Sequence, residues 1–174
     1  MSVRPERVMK WEYDLMYGAV AAEISRGIAL MAWGTEMPGF AVTDAQRSRI
    51  WFRFEERSNP TYVRIETALR GGEPVRETLS ALVMRRGGLD VRRDVDLVVG
   101  RAHDGGIMLS AKPQRGDPIE GWAISLDRAD AHRFANALQL ETAAQRQEYA
   151  NKLEELRTHH NTEIDTEIAH ARSR

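Results

Sequence analysis

The sequence predicts an α+β protein with an N-terminal helical half, a three-strand antiparallel meander and a long C-terminal helix. Three observations predict this class. Apolar residues recur mostly at three- and four-residue spacings through residues 6–88, as they do on one face of a helix. Short alternating runs replace that spacing between residues 94 and 126, which is typical of half-buried strands. Residues 128–171 contain neither proline nor glycine, so nothing in them breaks a helix.

The composition is that of a folded protein without thiol chemistry. The 174 residues are 42% hydrophobic and 29% charged, and their formal net charge is −1. This balance argues against a disordered chain and gives no overall attraction to nucleic acid or anionic membrane. Because there is no cysteine, disulfides, thiolate catalysis and zinc–thiolate sites are excluded. We expect no membrane segment and no secretory signal, and therefore a cytoplasmic protein.

The chain divides into four predicted regions. The first contains one helix from about Glu6 to Trp33, in which Gly18 and Gly27 each cost about 1 kcal/mol relative to alanine. The segment GTEMPG ends this helix with glycine and proline. The regions are an N-terminal helix (1–42), a three-helix unit (43–88), a sheet with a covering helix (89–140) and an extended C-terminal helix (141–174).

The three-helix unit is predicted from its helix ends. Thr43 and Gln46 form a capping-box pattern that opens the first helix. The aromatic run at 50–54 alternates as a strand does, but the cap favours the helix. Proline in the first turn and glycine after the last turn mark the other two helices. The three helices are placed at 43–56, 60–70 and 73–86.

Arginines are concentrated in this middle part of the chain. Residues 44–101 carry 12 arginines against 9 acidic residues, a net charge of +3, whereas the segments before and after them have net charges of −1 and −3. Three short helices in succession can place one helix in the DNA major groove. The arginine fork binds phosphate and guanine through two hydrogen bonds. We therefore expect DNA contacts from Arg76, Arg85, Arg86, Arg53 and Arg57.

Three segments of this unit, Thr43–Arg47, Ile65–Leu69 and Thr78–Gly88, resemble the helix-turn-helix segment of some transposases and phage regulators. The resemblance covers about a quarter of the chain. It implies a helix-turn-helix that binds duplex DNA. Glu66 departs from the pattern, because that position usually holds a small residue. The alternative is a plain helical subdomain whose arginines are solvated, and it stays open.

The far part of the C-terminal helix carries a sparse apolar stripe. Its members are spaced loosely as in the heptads of a coiled coil, and the surface between them is polar. We expect this stripe to pair with a second copy of the chain, the alternative being that the helix end frays. The expected oligomerisation residues are Tyr149, Leu153, Leu156 and Ile164.

The sequence contains no motif for catalysis or for a cofactor. Its serines lack the glycine-flanked elbow of hydrolases, and its paired glycines do not form a phosphate-binding loop. His159, Glu163 and Glu167 share one helix face, but a metal site needs converging ligands with supporting groups. That pattern is better explained as a charged helix face, so we expect no metal, no cofactor and no enzymatic activity.

These observations lead to two hypotheses of function. The first is a non-enzymatic DNA-binding protein, such as a phage or mobile-element regulator that acts as a dimer. The second is an oligomeric structural or assembly protein, such as a phage virion or scaffold-like component, that associates through its C-terminal helix. Duplex binding as a function of salt separates them, because several phosphate contacts make affinity fall steeply as salt rises.

Overall fold

The computed structural model describes residues 8–25, 27–33, 38–44, 48–85, 87–114 and 121–173. Within these residues nine antiparallel strands form one sheet, and each strand pairs with the next one in the sequence. The strands are β1 (Trp11–Asp14), β2 (Ala19–Ser25), β3 (Ile28–Trp33), β4 (Gly39–Thr43), β5 (Arg49–Arg53), β6 (Val75–Met84), β7 (Val91–Arg101), β8 (Ile107–Pro113) and β9 (Trp122–Leu126).

Three helices accompany this sheet. Helix α1 (Pro60–Leu69) connects β5 to β6, and α2 (Arg128–Gln139) and α3 (Ala143–Arg172) follow β9. The order of four strands and a helix therefore occurs twice, as β2–β5 with α1 and as β6–β9 with α2. The side chains of Asn59 and Asp127 cap α1 and α2 in the same way, by accepting hydrogen bonds from backbone N–H groups of the first turn.

The N-terminal half is strand, so the predicted helix from Glu6 to Trp33 and the fold class that rested on it were wrong. Gly18 and Gly27 have φ values of 63° and 81°, which glycine adopts without steric cost, and each lies in the turn between two strands. Alanine-rich β2 favours a helix by propensity alone. Pairing with β1 and β3 overrides that weak preference.

The three-helix unit predicted for residues 43–88 was also wrong, and with it the helix-turn-helix. Among the described residues of this region only the segment at 60–69 is helical. The first predicted helix contains β5, and the third predicted helix is replaced by β6. In β6 the buried Val75, Ala81 and Val83 alternate with outward residues, which is the strand period. The apolar residues of β6 also fit a helical spacing. Gln46 of the expected capping box lies outside the described residues.

The predicted C-terminal helix is interrupted at residues 140–142. The side chain of Thr142 accepts a hydrogen bond from the backbone N–H of Gln145, while the Gln145 side chain accepts one from the backbone N–H of Thr142. This reciprocal capping box starts a new helix. The spacing of Thr142 and Gln145 was a readable signal for the interruption.

The main core lies between one face of the sheet and the three helices. Its largest buried side chains include Trp11, Phe40, Phe52, Tyr62 and Phe134. Each ring contacts another ring of this set or Phe54, as in the pair Phe40–Phe134 with centroids 5.8 Å apart. The core therefore joins both halves of the sheet to α1 and α2.

Helix α3 packs against its own subunit, so the coiled-coil prediction was wrong. It lies along β1 and β2, where Leu153 is buried and Tyr149 packs against the main core. Ile164 is also buried, whereas Leu156 is 46% exposed. The stripe that was expected to meet a second copy mostly covers the sheet of the same chain.

Candidate functional site

The sheet face opposite the main core carries a second, smaller apolar cluster. It contains Ala19, Met31, Trp33 and Ala41, with Ala21 and Trp51 packed against it. No residue of α1, α2 or α3 belongs to this cluster, whereas the buried apolar side chains of α1 and α2 all join the main core. Two tryptophans therefore lie on the face that the described helices leave uncovered.

The small residues of β4 bring these two tryptophans together. Trp33 lies opposite Gly39 in the β3–β4 pair, and Trp51 lies opposite Ala41 in the β4–β5 pair. Trp33 and Trp51 thus stand on the two strands that flank β4, and those strands are roughly 10 Å apart. Because β4 presents only glycine and alanine between them, the indoles meet above it, with ring centroids 4.3 Å apart and planes inclined by 20°.

Two arginines and a tyrosine complete this arrangement. The guanidinium carbon of Arg53 lies 4.7 Å from the ring centroid of Trp51, and that of Arg49 lies 5.1 Å from Trp33 and 5.6 Å from Trp51. These distances are those of cation–π contacts. Tyr17, in the β1–β2 turn, meets Trp33 edge-on at 4.9 Å. We call these five residues the aromatic stack.

The charged residues of the stack, both on β5, are arginines. Farther along the sheet, on β6 and β7, the same face carries charges of both signs. The Arg49 guanidinium is ion-paired to Asp90 at 3.1 Å. Strand registers place Arg92 on the same face as Trp51, two strands away, and Arg76 on that face farther along β6. Carboxylates also occur there, on β7, where Asp96 accepts a hydrogen bond from Thr78 at 2.6 Å. The stack is thus the basic part of a mixed surface.

The structure separates the arginines that were expected to bind DNA. Arg53 belongs to the aromatic stack, Arg76 is exposed on the same sheet face, and Arg85 is exposed just after β6. Arg86 lies outside the described residues. Arg57 has a different role, because its guanidinium donates hydrogen bonds to the carbonyl oxygens of Gln139 and Leu140 at the end of α2. These residues do not form one recognition element.

Sequence reasoning missed Trp33, Arg49 and Trp51 as site residues. Trp33 was expected to end the predicted N-terminal helix, whereas it is the last residue of β3. The signal that could have found the other two is the alternation in the segment RIWFR, which puts Arg49, Trp51 and Arg53 on one side of a strand. A strand was the alternative for this segment, and the expected cap outweighed it.

The chemistry of the stack is that of binding. It offers aromatic faces and two guanidinium groups. Trp51 Nε1 and Arg49 Nε are buried and have no hydrogen-bond acceptor among the described residues. The five residues of the stack include no carboxylate, histidine or serine that could serve as a base or nucleophile. Such a surface can hold a flat, electron-rich and anionic ligand.

A concave region lies at the N-terminal end of α2. This groove, with a volume of about 590 Å³, is lined by residues that include Asp104, Asp127, Arg128 and Asp130. Asp130 is buried and accepts hydrogen bonds from Arg133 Nη1 at 2.7 Å and Trp11 Nε1 at 3.2 Å. Burial raises the pKa of Asp130, and these two donors oppose that shift. The contacts of Asp130 hold β1 to α2.

Metal sites and membrane spans are both missing from the part of the chain that the structure describes. No group of three or more histidine, aspartate or glutamate side chains there could hold a metal ion. His159 and Glu163 form a solvent-exposed ion pair at 3.2 Å, as expected for a charged helix face. None of the described helices combines the length and apolar character needed to cross a bilayer.

Comparison with known proteins gives no further guide to this site. No protein-family model, no curated protein and no solved structure matches the chain.

Proposed function

We propose that this protein is a non-enzymatic nucleic-acid-binding protein that holds single strands on the aromatic stack. The observation that carries the proposal is the stacked Trp33–Trp51 pair with Arg49 and Arg53 next to it, on the sheet face that the described helices leave uncovered. Proteins that bind single strands combine aromatic platforms for the bases with cations for the phosphates. Sheets that recognise RNA use aromatic side chains on one face in the same way.

The geometry favours single strands over a duplex. Reading duplex DNA in the major groove needs a projecting helix or two-stranded ribbon, and the stack lies on the broad face of a sheet. Paired bases are stacked on each other, so their faces are not available to indole rings. An unpaired strand exposes those faces to Trp51 and its phosphates to the arginines.

The charge distribution predicts weak, salt-sensitive binding. The whole chain has a net charge of −1, so attraction to a strand comes only from local cations such as those of the aromatic stack. Each phosphate contact contributes about −0.7 to the slope of log K against log salt for single strands. A cytoplasmic location, as expected from the sequence, would bring the protein together with nucleic acid.

The experiment that tests the proposal compares three proteins on one labelled strand. Fluorescence anisotropy with an oligothymidylate of about 15 nucleotides is expected to give binding in roughly the micromolar range at about 50 mM salt. Trp51→Leu is expected to weaken binding roughly 5- to 100-fold, because it removes a stacking face. Arg64→Ala is the matched control, since Arg64 lies on α1 in an exposed ion pair with Glu77; we expect at most about a twofold effect.

Two results would contradict the proposal. One is the absence of binding by the wild-type protein at low salt. The other is an equal loss of affinity in Trp51→Leu and Arg64→Ala, with both variants folded by circular dichroism. A hairpin duplex of the same length is titrated with the wild-type protein as well, and we expect it to bind more weakly than the single strand.

Self-association in an assembly role is the second candidate function. The observation that favours it is the β1–β2 turn, where Leu15 and Met16 are 84% and 83% exposed. Exposed large apolar side chains side by side can mark a protein interface. Sedimentation at about 100 µM, a concentration well above typical weak dissociation constants, tests it. A monomer under those conditions would exclude this role.

A further inference from the structure

We infer that Asp90 limits how strongly the aromatic stack binds a strand, because its carboxylate holds the Arg49 guanidinium that a phosphate would otherwise contact. This role rests on the proposed function and adds a residue that tunes it. A phosphate of the bound strand then takes the place of the Asp90 carboxylate on Arg49. Asp90 is thus an internal competitor of the ligand.

Arg49 is shared between the two indoles and Asp90. Its Nη2 atom donates hydrogen bonds to both carboxylate oxygens of Asp90, at 3.1 Å and 3.3 Å. Its guanidinium carbon lies 5.1 Å and 5.6 Å from the ring centroids of Trp33 and Trp51. Because the Arg49 side chain is only 11% exposed, a ligand that reaches this charge meets the indoles and the carboxylate at the same place.

The strand register fixes Asp90 beside Arg49. Arg49 is the first residue of β5 and lies opposite Met84, the last residue of β6. The chain then turns back through Gly88, whose N–H donates a hydrogen bond to the Arg85 carbonyl at 2.8 Å, and Asp90 immediately precedes β7. The Asp90 side chain keeps 36% of its surface exposed, so its carboxylate remains in contact with the solvent from which a strand arrives.

The chemistry of the two anions makes them alternatives at one guanidinium. A carboxylate and a phosphate group both accept charge-assisted hydrogen bonds from arginine. Two anions held close together repel each other, so a phosphate binds Arg49 only by displacing Asp90 or against the repulsion of its charge. A base is neutral and is not repelled. Asp90 therefore opposes the phosphate contact and leaves stacking on the indoles unaffected.

The test removes the charge of Asp90 and keeps its shape. The full-length protein and its Asp90→Asn variant are titrated with an oligothymidylate of about 15 nucleotides at several salt concentrations. We expect the variant to bind roughly 3- to 10-fold more tightly at about 100 mM salt, because neither the ion pair nor the repulsion opposes the phosphate. In the wild type the displaced carboxylate attracts a cation while the phosphate releases one. We therefore also expect the slope of log K against log salt to steepen in the variant by about 0.7, the contribution of one phosphate contact.

Two further variants identify the charge of Asp90 as the cause. Asp90→Glu keeps the carboxylate, so we expect its affinity to stay within about twofold of the wild type. Asp96→Asn is the matched control, because it removes the same charge from the same sheet face. Asp96 lies roughly 13 Å along β7 from Arg92, which is in the row of Trp51. That distance exceeds the Debye length of about 10 Å at this salt, so we expect at most about a twofold gain. Thermal melting checks that all variants are folded.

The outcomes separate the role of Asp90 from the proposed function. If the wild type binds no strand, both fail. If the wild type binds but Asp90→Asn gains no affinity or loses affinity, Asp90 is not a competitor and single-strand binding stands. Equal gains in Asp90→Asn and Asp96→Asn would mean that only the net charge of the protein matters, which refutes the role. Tighter binding by Asp90→Asn with an unchanged salt slope would show that no phosphate contact is added, and it would overturn the role as well.

Discussion

Glycine at position 39 lets β4 pair closely with β5 beside the aromatic stack. Gly39 lies between Trp33 on β3 and Arg53 on β5. A Cβ atom added there would lie 2.1 Å from the carbonyl oxygen of Phe52. Because that neighbour is backbone in the adjacent strand, it cannot turn away as a flexible side chain could. The close pairing of β4 with β5 therefore depends on glycine at this position.

Gly39→Ala is expected to lower the free energy of unfolding by about 1–3 kcal/mol, the usual cost of forcing an extra methyl group into a packed site. Gly100→Ala is the matched control, because its new Cβ would come no closer than 3.4 Å to Pro74, an ordinary contact. We expect this control to be neutral, or up to about 1 kcal/mol more stable through lower chain entropy. Urea unfolding measures both, and equal effects would contradict the explanation.

At the scale of elements, helix α3 acts as a cover for one end of the sheet. Its buried Arg146 donates a hydrogen bond from Nε to the Gly18 carbonyl at 2.6 Å and from Nη1 to the Leu140 carbonyl at 3.2 Å. Burial lowers the pKa of Arg146. The two carbonyl oxygens accept hydrogen bonds from its guanidinium and so offset part of the cost of burying it. The first turns of α3 are thus hydrogen-bonded to the β1–β2 turn and to the end of α2, and the apolar residues that pack on the core follow later in the helix.

Two leucines on α3 test whether this helix packs on its own chain or on a second copy. Leu153 is 6% exposed and Leu156 is 46% exposed. We expect Leu153→Ala to lower the free energy of unfolding by about 2–4 kcal/mol as a core truncation, and Leu156→Ala to change it by at most about 0.5 kcal/mol. Denaturant unfolding and sedimentation mass are measured together. A larger effect from Leu156→Ala, or a lower mass in that variant, would restore an intersubunit role for the helix.

At the scale of the whole molecule, the end of α2 is where separate parts of the chain meet. The Tyr62 hydroxyl from α1 donates a hydrogen bond to the Leu138 carbonyl. Arg57, from the β5–α1 connection, and Arg146, from α3, donate to the carbonyl oxygens that follow. Helix ends leave such carbonyls without partners inside the helix, and two guanidinium groups there suit the helix dipole.

This junction predicts how stability responds to alkaline pH. Burial raises the pKa of Tyr62 above its ordinary value of 10.0, and burial raises the pKa of Tyr149 as well. Above about pH 10 the unfolded chain releases protons that the folded protein keeps, so the stability due to these groups is lost as pH rises. Below pH 10 their contribution is fully present.

Tyr62→Phe tests this linkage. Near neutral pH we expect it to cost about 1–2 kcal/mol, because the Leu138 carbonyl loses its donor. Above about pH 10 the difference from the wild type should narrow, since the variant no longer has this hydroxyl to titrate. Free energies of unfolding at pH 8 and at about pH 11 provide the comparison. A constant difference across that range would mean that the Tyr62 pKa is not shifted.

Features that depend on a few neighbouring residues could be read from the sequence. The helix start at Asn59–Pro60, the cap at Asp127 and the turn at Asp104–Gly106 are all present in the structure. Each is specified by side chains that satisfy backbone groups within three or four positions. The lack of cysteine chemistry was equally certain. For such features, knowledge of distant contacts adds nothing.

The sheet and the stack required tertiary structure. Apolar residues in β6 fit both the helical and the strand period, and alanine-rich β2 favours a helix, so only pairing with neighbouring strands decided their conformation. Trp33 and Trp51 meet because the register of β4 sets Gly39 and Ala41 between them. Local propensities differ by less than about 1 kcal/mol per residue, whereas burial of a large side chain contributes about 1.5–3 kcal/mol. Long-range packing therefore outweighs the local preference, and it can be seen only when the strands are assembled.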